Sequence, residues 1–459
     1  MTWWDDLKAR FDGRPTPRRE RGDAAPIVWT TNTAGPPARA VDGPAFPKFQ
    51  STAGDQFDTR GADRFAASRI KLRGAYTPAQ PIVDRRMFAG RTRVLTQLIR
   101  SLEDERLHTV VYGERGLGKT SLMHVLTQAA RDARYLVVYV TCGAGSSFDE
   151  MMRTVAENIP LLYHADYGPT TPEAERGEAF ATLLGSDPIT VRGASDLLGK
   201  VIGTRVLVVL DEFDRAESGD FRRSIAELIK SLSDRSVRVQ FVVAGVAANL
   251  NELVANVPSI QRNLSAFQVP KMSAGEVREL IKKGEPITGI AFDDGAIEAI
   301  VTRSIGFPFL ASLLSHRAGL NAIDRAADTV TYDDVAAATS DSVDDAYTRL
   351  SRRSQLDIKK RLQAGELAAL GALGGVAQSL GGPFTFEDIT ALHADPADIA
   401  AARALLDRLG HDDVLLETLE DEFGKSYRFR EFSVPIYLWL LAARDKPVVS
   451  RPSAQPLRA

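Results

Sequence analysis

The sequence has few of the features that tie a chain to an oxidising compartment or to a membrane. A single cysteine, Cys142, stands in 459 residues. One thiol excludes an intrachain disulfide, and a lone cysteine at the end of a β-rich run reads as a small buried residue. No long hydrophobic run is present: the longest apolar stretch, near 434–443, is too short to span a bilayer. The first residues, among them Trp3, Trp4, Asp5 and Asp6, lack the apolar region of a secretory leader. A strong charge of either sign is also missing. The formal net charge of −3 gives no general attraction to nucleic acid or to an anionic membrane, so any DNA contact would need a local basic patch. A cytoplasmic location is expected. The hydrophobic content of 44% and charged content of 25% are those of an ordinary globular chain, and the length suggests roughly three domains.

What is there is organised around residues 108–122, which read H-T-V-V-Y-G-E-R-G-L-G-K-T-S-L. A β-rich run is followed by Gly113, Glu114, Arg115, Gly116, Leu117, Gly118, Lys119, Thr120 and Ser121, and then by a helix-period run from Leu122. This is the phosphate-binding loop G-x-x-x-x-G-K-[ST] in its strand–loop–helix setting. Gly113, Gly116 and Gly118 let the backbone curl so that its N–H groups point at a phosphate chain. The helix adds its positive end to the same spot. Lys119 can reach the β- and γ-phosphates, and Thr120 can offer a hydroxyl to Mg²⁺, which keeps most of its waters.

A second carboxylate element follows at 205–214, R-V-L-V-V-L-D-E-F-D. Five apolar residues read as a buried parallel strand. At its end Asp211 can hold Mg²⁺ through water, and Glu212 is placed to activate an attacking water as general base.

With these two elements the sequence resembles the AAA+ ATPases and the related STAND signal-transduction ATPases, over about 81–441. It is similar to the origin-initiator branch of the former and to the archaeal-type ATPase group of the latter. The resemblance implies an α/β P-loop fold with a five-stranded parallel sheet, then a helical lid and a C-terminal winged helix. The expected divisions are a mostly disordered arm (1–80), the nucleotide domain (81–272), the lid (273–349), the winged helix (350–443) and a disordered tail (444–459). The step Phe88-Ala89-Gly90-Arg91 resembles the family's F-x-G-R entry, where the backbone closes over the adenine. After the fourth strand (237–245) the family carries a polar sensor of the γ-phosphate. Gly245, Val246 and Ala247, all apolar, stand there, a departure from the family pattern, and the nearest amide, Asn249, is a candidate. Arg262, just before the fifth strand (266–269), sits where the family places an arginine finger that reaches a neighbouring subunit's nucleotide. A capping box at 273–276 opens the lid, with helices expected at 276–283, 293–304 and 309–321. Gly306-Phe307-Pro308 resembles the STAND G-x-P step, whose proline lies against the nucleotide.

Other stretches read less specifically. Trp3, Trp4, Leu7 and Phe11 share one helical face and suit a docking motif or self-packing. The connection 143–203 exceeds a minimal crossover, with helical segments expected at 148–159, 173–184 and 195–202. In the last domain a basic helix (Arg352, Arg353, Lys359, Lys360, Arg361) precedes two further helices and a hairpin. The second of these helices carries Arg403 and Arg408 beside Asp398 and Asp407, and the hairpin is acidic at Glu417, Glu420, Asp421 and Glu422. A DNA reader would present a basic face here. The reading is therefore an ATP- and Mg²⁺-dependent ATPase acting as a switch on a protein partner, with nucleotide-dependent homo-oligomers allowed. An initiator- or transposition-like DNA-binding ATPase is the alternative; a disassembly motor would need pore loops that are not identifiable.

Overall fold

The computed structural model describes residues 64–77, 80–82, 85–247, 262–392, 395–409, 413–421 and 424–444. The Trp3, Trp4, Leu7 and Phe11 motif and Asn249 lie outside them.

Five strands form one parallel sheet: β1 (His108–Gly113), β2 (Leu136–Thr141), β3 (Val206–Asp211), β4 (Val239–Val246) and β5 (Leu264–Gln268). Their order across the sheet is β2-β3-β4-β1-β5. Every residue of β3 is buried, as a strand covered on both faces requires. Alternation sends Leu207 and Val209 to one face, against α2 (Thr92–Glu103) and α3 (Lys119–Asp132). Val208 and Leu210 face the other side, against α4 (Phe148–Glu157), α5 (Val191–Leu198) and α6 (Gly219–Asp234). The long 143–203 connection thus helps to close one face of the sheet. Its middle is not the continuous helix expected over 173–184. Gly177 at φ 72° ends the short helix Pro172–Glu175, and a 3-10 turn, Phe180–Leu183, follows.

The lid is built from α7 (Ala274–Thr288), β6 (Ala291–Phe292), α8 (Asp294–Ser304), α9 (Pro308–Asp324), β7 (Thr329–Val330) and α10 (Tyr332–Thr348). The capping box of Ser273 and Glu276 opens α7 as expected. The fourth helix, α10, has no strong apolar stripe. Its buried face includes Ala338, Thr339 and Ser342, which is why hydrophobic periodicity did not mark it.

One expectation is corrected at the arm. Residues 64–75 form a helix, α1 (Arg64–Ala75), packed on α7 and α9. Leu72 and the following Tyr76 are fully buried, and the Tyr76 hydroxyl donates to the Ile281 carbonyl at 2.6 Å. Gly319 makes the approach possible: a Cβ there would lie 2.6 Å from a Leu72 methyl carbon.

The C-terminal module runs α11 (Arg352–Gln363), α12 (Leu367–Leu380), α13 (Phe386–Leu392), α14 (Pro396–Asp407), the antiparallel hairpin β8 (Leu416–Asp421) and β9 (Gly424–Phe429), and α15 (Ser433–Arg444). Phe384 makes an isolated antiparallel bridge to Tyr427 beside the hairpin. The expected basic helix, two further helices and hairpin are α11, α13, α14 and β8–β9, and the buried helix α12, which was not expected, stands between the first two. The module is tied to the lid by the Trp439 indole, which donates to the Arg303 carbonyl at 2.8 Å.

Candidate functional site

Because β4 separates β1 from β3, the loop after β1 and the carboxylates ending β3 open into one crevice at the carboxyl edge of the sheet. The crevice is a cleft of about 770 Å³. Arg115, Gly116, Gly118, Lys119, Thr120 and Ser121 line it from the loop, Asp211 and Glu212 from β3, and Pro308 from the lid.

The loop is shaped as its glycines allow. Gly116 and Gly118 have φ of 83° and 77°, values that side chains resist. Lys119 opens α3 and is buried, and its ammonium donates to the carbonyls of Gly113 at 2.8 Å and Glu114 at 2.7 Å. Burial pushes its pKa down to about 8, against the pull of Asp214 and Asp211. A buried ammonium bonded only to neutral carbonyls, in a loop of open glycines, fits an anionic phosphate chain.

Asp211 is buried, with one oxygen accepting from the Glu212 N–H at 2.8 Å and the other from the Tyr139 hydroxyl at 2.5 Å. Glu212 adopts a left-handed backbone, φ 53°, and its carboxylate pairs with Arg215 at 2.6 Å. Asp214 also lines the cleft and accepts from the Val246 N–H at 2.7 Å, so it fastens the β3 turn to the end of β4. Among the described residues no group of three or more His, Cys, Asp or Glu could hold a metal ion by itself. Thr120 and Asp211 on the cleft wall fit Mg²⁺ of the kind held mainly by phosphate and water.

Several residues singled out by sequence stand elsewhere. Leu117 is buried behind the loop. Phe88, Gly90 and Arg91 do not line the cleft. Their backbone is latched to α7: Gly90 N–H donates to Glu279 at 3.2 Å, Arg91 N–H to Glu276 at 3.1 Å, and Lys283 to the Phe88 carbonyl at 2.6 Å. The Arg91 guanidinium turns under the loop and donates to the carbonyls of Leu117 and Pro270. Burial lowers its pKa to about 10, opposed by Glu276. Arg91 is thus a brace for the loop. Glu114 points away toward the C-terminal module; burial raises its carboxyl pKa, while Lys271 and Lys119 oppose the shift. Arg262 is exposed and off its own cleft.

The cleft also takes residues that sequence reading missed: Gln80, Pro81 and Ile82 from the end of the arm, Asp214 and Arg215 beyond β3, and Phe309 and Ser312 on α9. The Ile82 N–H donates to the Ser121 hydroxyl at 3.0 Å. Only Asp214 left a signal, as the third carboxylate of D-E-F-D.

A five-stranded parallel sheet with this strand order, a phosphate loop after β1 and carboxylates after the strand two places away define a P-loop nucleoside triphosphatase. Within that class the assignment is specific. The model of the Novel STAND NTPase 1 family matches residues 81–381, and the chain belongs to that family. Similar solved structures include a Walker-type ATPase of Pyrococcus abyssi, at 15% identity and a TM-score of 0.46, covering 78% of this chain and 98% of that one. The Cdc6p protein of Pyrobaculum aerophilum is 13% identical with a TM-score of 0.43, covering 82% and 99%. The RuvB Holliday junction branch migration motor of Thermotoga maritima is 16% identical with a TM-score of 0.39, covering 75% and 93%. Among curated proteins none matches. No helix among the described residues is long and apolar enough to cross a membrane.

Proposed function

We propose that the protein binds ATP with Mg²⁺ in this cleft, hydrolyses it, and uses the nucleotide state to set the position of its C-terminal winged-helix module toward a protein partner. The observation that carries this reading is that the phosphate loop itself touches the module. Gly381, at the end of α12, lies so close to Glu114 that a Cβ would sit 2.2 Å from its side chain. The Arg115 guanidinium stands 5.6 Å from the Phe432 ring centre, just before α15. Lys271, beyond β5, donates to the Ser379 carbonyl at the end of α12. A loop that must adapt to a phosphate chain cannot move without disturbing these contacts.

Lys119 and the loop N–H groups would hold the phosphate chain, and Thr120 and Asp211 the Mg²⁺, which would supply charge neutralisation on the phosphate oxygens. Glu212 would take the proton of the attacking water, after leaving Arg215. Arg262, exposed just before β5, suits a role toward a neighbouring copy.

The test is hydrogen exchange of the full chain, free and with ADP or a non-hydrolysable ATP analogue. Protection at 378–381 and 432–436 should change with nucleotide in the wild type and stay constant in Lys119→Ala. Identical protection in all states of the wild type would overturn the switch reading.

The DNA-binding alternative has one observation in its favour. Arg352, Arg353, Lys359 and Lys360 are exposed along one side of α11 and make no ion pair among the described residues. Arg361 does not join them, since it is held by Asp357, Glu366 and Asp413.

A further inference from the structure

The second oxygen of Asp211 is not left to solvent. Tyr139 lies on β2, two residues before Thr141, which is the register partner of Asp211. Residues two apart share a sheet face, so the Tyr139 side chain stands beside that of Asp211, and its hydroxyl donates to Oδ2 at 2.5 Å. The ring is itself fixed. It stacks on His124, with centroids 5.0 Å apart and planes 9° apart. His124 sits on α3 one turn after Thr120, and residues four apart share a helix face. The Tyr139–His124 stack therefore joins the helix that carries Thr120 to the strand end that carries Asp211.

With the Glu212 N–H on Oδ1 and the Tyr139 hydroxyl on Oδ2, both carboxylate oxygens are held, one by the next residue's backbone and the other from the neighbouring strand. A carboxylate has about four lone-pair positions, so each oxygen keeps one for a metal-bound water. Two donors, one on each oxygen, restrict its rotation.

We propose that Tyr139 is a positioning residue for the metal: it holds Asp211 in one rotamer on the cleft wall that Thr120 also lines, and His124 holds Tyr139. The proposal rests on the reading of Asp211 as the metal-holding carboxylate. Tyr139→Phe keeps the ring and its stacking and removes only the hydroxyl. A purely structural hydroxyl would affect stability and nothing specific to metal. A positioning hydroxyl separates metal binding from nucleotide binding.

The experiment measures Mn²⁺ binding by electron paramagnetic resonance, with ATP present, in the full-length wild type, Tyr139→Phe and Asp211→Asn. Binding of a fluorescent ATP analogue in EDTA is measured alongside. Tyr139→Phe is expected to weaken Mn²⁺ binding roughly tenfold, the scale of one charge-assisted hydrogen bond, with metal-free analogue affinity within about twofold of wild type. Asp211→Asn should weaken Mn²⁺ further. Unchanged or tighter Mn²⁺ binding in Tyr139→Phe, with Asp211→Asn impaired, overturns the role of Tyr139 and leaves Asp211 as the metal site. Unchanged binding in both variants removes the metal role of Asp211 and the proposal with it. Equal weakening of metal and metal-free nucleotide binding in Tyr139→Phe would mark a general structural effect and also overturn it.

Discussion

Glu212, the proposed general base, is held firmly by its neighbours. Its left-handed backbone costs on the order of 1 kcal/mol, and the Asp211 carboxylate, accepting from its N–H, helps to hold that turn. The carboxylate is meanwhile paired with Arg215. Glu212→Gln is expected to retain ATP binding and to lower turnover ~10²–10⁴-fold, the usual contribution of a general base. Turnover equal to wild type in a phosphate-release assay would move the base to another residue, and Asp214 is a further carboxylate on the cleft wall. Lys119→Ala should abolish tight binding of ATP with Mg²⁺, measurable by nucleotide titration, because no other loop cation is buried against the phosphate position. These residues were legible in sequence because the motif is contiguous. Arg91 was legible as a position but not as a brace, since its partners, Leu117 and Pro270, are brought to it only by folding.

At the scale of elements, the packing of α1 on the lid makes the most specific claim about stability. Leu72 is buried against Gly319 of α9. Leu72→Ala should destabilise by about 2–5 kcal/mol through lost burial and a residual cavity. Gly319→Ala should cost roughly 1–3 kcal/mol by overpacking, in spite of its better helix propensity. The double variant should fall clearly short of the sum, because the added methyl enters space that the shortened side chain vacates. Chemical denaturation of the four proteins measures this coupling; strict additivity would mean that the two sites do not share a contact. The helix itself was missed in sequence. Its apolar residues, Phe65, Ile70 and Leu72, are diluted by Arg69, Lys71 and Arg73, and a Pro- and Gly-rich stretch precedes it. Tertiary contact with α7 and α9 supplies the stability that local propensity does not.

At the scale of the whole molecule, assembly and polyanion binding separate the readings of function. If Arg262 acts on a neighbouring copy, hydrolysis per subunit should rise with protein concentration, and Arg262→Ala should flatten the rise while leaving ATP binding intact. The same concentration-independent rate in both proteins would leave Arg262 an ordinary surface residue. DNA binding by the full chain is expected to be weak and to fall steeply with salt, through Arg352, Arg353, Lys359 and Lys360, since each neutralised phosphate releases counterions. The helix α14 offers little else. Arg403 stands over the Phe386 ring at 4.5 Å, and Arg408 is bound by Glu366 at 3.0 Å. Fluorescence anisotropy at two salt concentrations measures this. A tight, sequence-selective complex that persists at the higher salt would promote the DNA-binding reading over the switch.

The parts of this protein that could be read one residue at a time were the phosphate loop, the β3 carboxylates, the five strands and the capped start of the lid. Each depends on neighbours within a few positions: glycine torsions, β-branched burial and a Ser–Glu cap. The convergence of distant groups was not readable in that way. Tyr139 reaches Asp211 across 72 positions, Glu114 meets Gly381, and Arg361 is withdrawn from the basic stripe by Asp413. Those contacts exist because parallel strands bring their carboxyl ends to one edge, and because the lid and the C-terminal module fold back over that edge. Burial and strand order act on the whole chain, so the partners of a side chain, and with them its role, are fixed only once the chain has closed.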